Sequence, residues 1–128
     1  MIRGGRLSGS PPTELTWPEL ADRQMIMQRL ELSTESTLGP SVATAAAFQN
    51  ERPALVHESE LAAMFARVLL QPDMPDAADN EYRMWCERLE RAALQLRQSA
   101  QENDAAGAER ALREMKSQCA ACHELYRG

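Results

Sequence analysis

Histidine is scarce in this 128-residue chain, with only His57 and His123. Cysteine is nearly as rare: there are three, Cys86, Cys119 and Cys122. So small and odd a count excludes a disulfide framework as the basis of the fold. Valine, isoleucine and threonine are few, and no stretch alternates apolar and polar residues, which excludes a sheet protein. No apolar run approaches the roughly 20 residues needed to span a bilayer. The longest, Phe65 to Leu70 and Ala92 to Leu96, are short and lie inside amphipathic patterns. There is no basic block, and the formal charge of −5 argues against a nucleic-acid binder, which needs a phosphate footprint. The same charge is too modest to name a partner.

What is present suits one all-α domain. The length allows a single core, and 44% hydrophobic with 26% charged residues is ordinary for a soluble protein. Residues 1–15 read as a flexible lead-in, because Gly4, Gly5, Gly9, Pro11 and Pro12 break any period. The domain is expected over 16–128. Thr16, Pro18 and Glu19 form a capping-box start. A stripe of Leu20, Arg23 or Gln24, Met27, and Leu30 or Glu31 follows, up to a stop or bend at Gly39-Pro40. Residues 41–56 are ambiguous: Val42 to Phe48 is alanine-rich, but Asn50 and Pro53 punctuate it. A second pattern runs from about Val56 to Gln71-Pro72. A third, capped by Asp76 or Asp79, carries Tyr82, Trp85/Cys86, Leu89, Ala92/Ala93, Leu96 and Ala100. The last, capped by Asn103 or Asp104, carries Ala108, Leu112, Met115, Cys119, Cys122 and Tyr126. Four amphipathic helices with short breaks predict an antiparallel, up-down-up-down four-helix bundle.

The chemistry is concentrated in Cys119-Ala120-Ala121-Cys122-His123. This is the C-x-x-C-H pattern of covalent haem attachment. Each thiol can form a thioether with a haem vinyl group, and the adjacent imidazole can reach the iron. On a helix, Cys119, Cys122 and His123 share the face that Ala108, Leu112 and Met115 turn to the core. Other readings of the pair are a redox dithiol, half a zinc site, or chance. Redox dithiols usually open a helix after a strand, and zinc would need further ligands from Cys86, His57 or carboxylates.

A C-x-x-C-H close to the C-terminal end, followed by Glu124-Leu125-Tyr126-Arg127, resembles the class II c-type cytochromes, that is, cytochromes c′ and their low-spin relatives of the cytochrome c556 type. Arg23-Gln24-Met25-Ile26-Met27 is similar to that family's R-Q-x-x-M segment. The resemblance implies one covalent haem c with His123 on the iron. It places Arg23 near a haem propionate and Met27 on the distal side, as ligand in the low-spin relatives or in the position of an apolar blocker in cytochromes c′. Arg127, four after His123, could hold the haem edge or tune the imidazole. Trp85, Tyr82, Phe65 and Tyr126 are candidates for the pocket wall.

Each residue also has a plainer reading. Met27 could be a core gap-filler, with Met25 as its local rival on a different face. Arg23 could be a solvated charge, Cys86 a small buried hydrophobe, and His57 a surface residue rather than a second axial ligand. No acid–base residue set points to an enzyme.

Two functions fit: a single-electron carrier with His123 and Met27 on the iron, or a five-coordinate protein binding nitric oxide or carbon monoxide. An accessory domain of a larger redox assembly is a third. The carrier is preferred because methionine, not leucine or phenylalanine, stands at position 27. Redox partner proteins are expected, and a homodimer is among the assemblies the resemblance allows. It also implies export to the periplasm, although the visible start, MIRGGRLSGS, has no apolar signal region. The expectation is therefore a start further upstream, or a mature or truncated form.

Overall fold

The computed structural model describes residues 15–126. It is an all-helical bundle, with no strand among the described residues. The elements are α1 (Trp17–Leu20), α2 (Arg23–Ser33), a π-helical turn (Thr34–Leu38), α3 (Gly39–Ser41), α4 (Ala45–Val68), α5 (Asn80–Gln101) and α6 (Ala105–Tyr126). The expected lead-in, apart from Leu15, lies outside the described residues.

The first helix of the sequence reading is two helices. The Glu19 carboxylate accepts from the Thr16 N–H at 2.7 Å and from its hydroxyl at 3.0 Å. The helix so started ends after one turn. Ala21 is extended, and Asp22 starts α2 by accepting from the Gln24 N–H at 3.0 Å. An Asx side chain that satisfies a free N–H here competes with helix continuation. Leu20 consequently leaves the expected stripe and is exposed.

The bend at Gly39-Pro40 takes a specific form. The buried positions run Ile26, Leu30, Ser33, Leu38, Ser41, so one step is five instead of three or four. The π turn absorbs that extra residue, with the Gly39 N–H donating to the Thr34 carbonyl. A Cβ on Gly39 would stand 3.0 Å from that same carbonyl oxygen, which accounts for glycine at this point.

The ambiguous stretch is resolved as helix. Thr44 caps α4 by accepting from the Ala47 N–H at 3.0 Å, and the helix runs through Asn50 and Pro53 to Val68. An interior proline opposes helix by about 3 kcal/mol. Phe48 and Leu55, seven apart and fully buried, hold the segment against the core on either side of Pro53. Between α4 and α5, Asp73 and Asp76 adopt left-handed backbone (φ 72° and 61°), and Asp79 is the cap, accepting from the Tyr82 N–H at 3.0 Å. Asn103 is also left-handed (φ 60°), and Asp104 caps α6 through the Gly107 N–H at 2.9 Å.

α5 packs against both α4 and α6. Polar links join α4 to α5: Arg67 to Glu90, Arg97 to Glu60 at 3.3 Å, and Arg52 to the Ala100 and Gln101 carbonyls at 2.8 and 3.2 Å. The α5–α6 seam is rich in alanine, with Ala92, Ala93, Ala100, Ala108 and Ala111 all buried. α2 is tethered at its ends. Arg23 pairs with Asp76 at 2.9 Å, and the Glu58 carboxylate accepts from Ser33 at 2.7 Å and pairs with Arg29 at 3.0 Å.

Phe48→Ala should lower stability by about 3–5 kcal/mol, the range for a buried phenylalanine, measured by guanidinium unfolding. A change near zero would mean that the first half of α4 is not docked on the core.

Candidate functional site

A cleft of about 710 Å³ opens between α2 on one side and α5 and α6 on the other. That size lies within the range of cofactor pockets, roughly 300–1,000 Å³. Cys119, Cys122, His123 and Tyr126 line it from α6, Tyr82, Trp85 and Cys86 from α5, and Arg23 and Met27 from α2. Two segments nearly a hundred residues apart in sequence thus share one cavity. Met25, the rival of Met27, is 66% exposed and does not line it. His57 is exposed on α4, away from the cleft, and Phe65 packs on the core without lining it. Arg127 lies outside the described residues.

The α6 face explains the motif's placement. Met115 and Cys122 are buried, and Cys119 and His123 are half-buried at the cleft. Burial pushes the Cys119 thiol up to about 11, with the neighbouring Cys122 adding to the rise, and burial raises Cys122 too. A redox dithiol of the kind that opens a helix after a strand needs a lowered thiol pKa. This pair sits in the last turns of a helix with both values raised, so that reading fails. The zinc reading gains no further ligands: among the described residues no three His, Cys, Asp or Glu side chains converge as a metal site.

A polar corner closes one end. The Tyr126 hydroxyl donates to Asp79 at 2.7 Å, and its ring meets that of Tyr82 edge-on, with centroids 5.1 Å apart. The Arg23 guanidinium lies 5.7 Å from the Tyr82 ring centroid, a cation–π distance. Arg23 therefore stands at the cleft, where the resemblance put it, but its charge is engaged by Asp76 of the α4–α5 connection.

Three buried polar atoms of cleft residues have no hydrogen-bond partner: the Tyr82 hydroxyl, Trp85 Nε1 and Gln118 Oε1. Buried polar groups are normally paired. They belong to residues that line a cavity walled by two thiols, an imidazole, a thioether and apolar side chains, a lining that fits a large, largely apolar cofactor. The residues present fit haem. Gln118 and Lys116 were missed at the sequence level. Gln118 is buried and bonded to Glu114, and its only signal was its place three residues after Met115 on the inward stripe. Cys86 is buried, as its plain reading required, and also forms part of the cleft wall.

A helical bundle with a C-x-x-C-H on a cleft of this make-up has the features of a haem protein of the c type. The family model described as Cytochrome C' matches residues 77–127, so this part of the chain is similar to the class II c-type cytochromes. The match spans α5 and α6 with Cys119, Cys122, His123 and Tyr126; Arg23 and Met27 lie before it. No curated protein and no solved structure matches the chain.

The hydrogen bond to Asp79 holds the Tyr126 hydroxyl up at about 12, and burial raises Tyr82 as well. A tyrosine whose folded pKa is raised stabilises the fold at pH values below its ordinary pKa. That contribution fades as pH climbs through the folded value. Ultraviolet titration of the haem-free chain should show almost no tyrosinate at pH 10.5, a little above the unperturbed value of about 10. Asp79→Ala should return one tyrosine toward that value. Two tyrosines titrating near 10 in the parent chain would show that the corner does not form.

Proposed function

We propose that the protein is an exported cytochrome with one haem c that passes single electrons between partner proteins, its iron held by His123 and Met27. The observation that carries this reading is the cleft itself: Met27 lines it from α2 while His123 and both motif cysteines line it from α6. Haem c supplies a one-electron iron couple when bound. Cys119 and Cys122 would each add S–H across one vinyl group, forming a carbon–sulfur bond with no net change of oxidation state. His123 would present its imidazole, and Met27 a thioether, which as an axial ligand raises the potential. Tyr82 and Trp85 would offer N–H and O–H donors to polar substituents. Arg23 keeps guanidinium N–H groups beyond those used on Asp76 and Pro75 for a propionate. For Arg127 we propose a contact at the haem edge or with the proximal imidazole. A single C-x-x-C-H in the sequence supports one haem.

The helix course we propose is up-down-up-down. Support comes from the α4–α5 links, in which residue numbers rise on one helix as they fall on the other: 52 with 100, 60 with 97, 67 with 90. The pairs Tyr82 with Tyr126 and Ser99 with Gly107 do the same for α5 and α6. Periplasmic location is supported by the family likeness, and no described helix is long and apolar enough to cross a membrane. A homodimer through the first helices is supported by Met25 and Leu32, seven residues apart and both well exposed on α2.

The competing reading, a five-coordinate iron binding nitric oxide or carbon monoxide, is favoured by the Cytochrome C' match alone. The oxidised spectrum separates the two. Protein matured with haem should gain the mass of one haem, be low-spin and show a sulfur-to-iron charge-transfer band. Met27→Ala should abolish that band, give a high-spin spectrum and lower the potential. A parent protein already high-spin and shifting with nitric oxide would make it a gas binder, and a colourless matured protein would end the haem reading.

A further inference from the structure

Besides the two thiols of the motif, the cleft holds a third, Cys86, which the proposed haem chemistry leaves unused. Its position is set by helix register. Tyr82 on α5 and Tyr126 on α6 are in ring contact. One turn inward from that contact, four residues on from Tyr82 and four back from Tyr126, stand Cys86 and Cys122. Residues i and i+4 share a helix face, so the two cysteines stand opposite each other across the seam, and Cys122 is near enough to bear on the Cys86 thiol. At its other end the seam is closed by Ser99 and Gly107, where a Cβ on the glycine would lie 2.7 Å from Ser99 Oγ. The alanines between these points allow close approach, and both cysteines are buried. Burial and the nearby Cys122 together push the Cys86 thiol up to about 12.

The rival pairing, Cys119 with Cys122, is strained. α6 is continuous helix through both residues. Helical neighbours three apart have Cβ atoms about 5–6 Å apart, whereas a disulfide needs about 3.5–4.5 Å. Closing that pair must distort the helix; closing a pair across the seam need not.

We propose that in the haem-free protein Cys86 and Cys122 form a reversible disulfide across the α5–α6 seam, which withholds Cys122 from haem attachment until it is reduced. This rests on the haem reading for its consequence, but the disulfide itself does not. The oxidant is a small disulfide such as oxidised glutathione, which enters by the cleft. Cys122, which lines the cleft, attacks it, forming a mixed disulfide and releasing one reduced thiol. Cys86 then attacks the Cys122 sulfur, forming the seam bond and expelling the second thiol. In sum, Cys86 and Cys122 lose two electrons and two protons, and one external disulfide is reduced to two thiols. The reverse exchange with a reduced thiol restores the motif.

The test uses the full chain made without haem maturation, folded, exposed to oxidised glutathione, blocked with N-ethylmaleimide and digested with trypsin. The expected product is the Met84–Arg88 peptide disulfide-linked to Ser117–Arg127, with one maleimide on the latter. The link should persist in Cys119→Ala, disappear in Cys122→Ala, and disappear when the chain is unfolded before oxidation. Recovery of Met84–Arg88 only in alkylated form, with the disulfide inside Ser117–Arg127, overturns the proposal. Matured under the same oxidising conditions, Cys86→Ala should carry about threefold more covalent haem than the parent, the scale of a modest shift in thiol–disulfide equilibrium. Equal loading would deny the disulfide any hold over attachment. If neither chain takes up haem while the linked peptide is found, the haem reading fails and the disulfide stands.

Discussion

The separation of α2 from the α5–α6 pair is the constraint on which everything else in this molecule depends. α2 buries only Ile26, Leu30 and Ser33 and is fixed by polar contacts at its two ends, Arg23 to Asp76 and Arg29 with Ser33 to Glu58. Between those fastenings it does not close on α5 and α6, and the space left is the cleft. A tighter apolar face on α2 would have filled the cavity with side chains. The partly exposed Arg23–Asp76 pair contributes little energy by itself. Its value is positional, since it sets where Met27 stands relative to the C-x-x-C-H on α6.

The opposite wall is built on the contrary principle. α5 and α6 meet through small residues and are held in register by the tyrosine contact at one end and the Asp104-capped turn at the other. Alanine gives close approach with little side-chain entropy to lose. A rigid wall and a tethered one suit a site that must receive a large group after the chain has been made. Tyr82, Trp85 and Gln118, each with an unpaired buried polar atom, belong to the rigid wall and its border.

Much of this was legible in the sequence because the signals were local and periodic. The α5 stripe and, apart from Ala111 and Gln118, the α6 stripe were readable, since every third or fourth position is apolar and both helices have an Asp cap. The motif named its own chemistry. Met27 over Met25 followed from helical phase, and the cavity agrees. What escaped reading were places where one physical effect outweighed another. Asp22 breaks a helix that periodicity carried through, because its carboxylate satisfies the Gln24 N–H. Pro53 fails to break one, because Phe48 and Leu55 are buried on either side of it. The Arg23–Asp76 pair spans the chain from α2 to the α4–α5 connection, and no local pattern encodes such a contact. Gln118 went unnoticed because its polarity gives no sign that the side chain is buried.

The wide turn at Thr34–Leu38 has a consequence for how this protein tolerates change. A stretch that already accommodates one surplus residue is a natural expansion joint. Shortening it by one would let the chain run as ordinary helix, with Leu38 and Ser41 still meeting the core in phase with Leu30 and Ser33. Length variation of one residue among relatives should therefore collect at this joint, leaving the spacing between Arg23 and Met27 untouched.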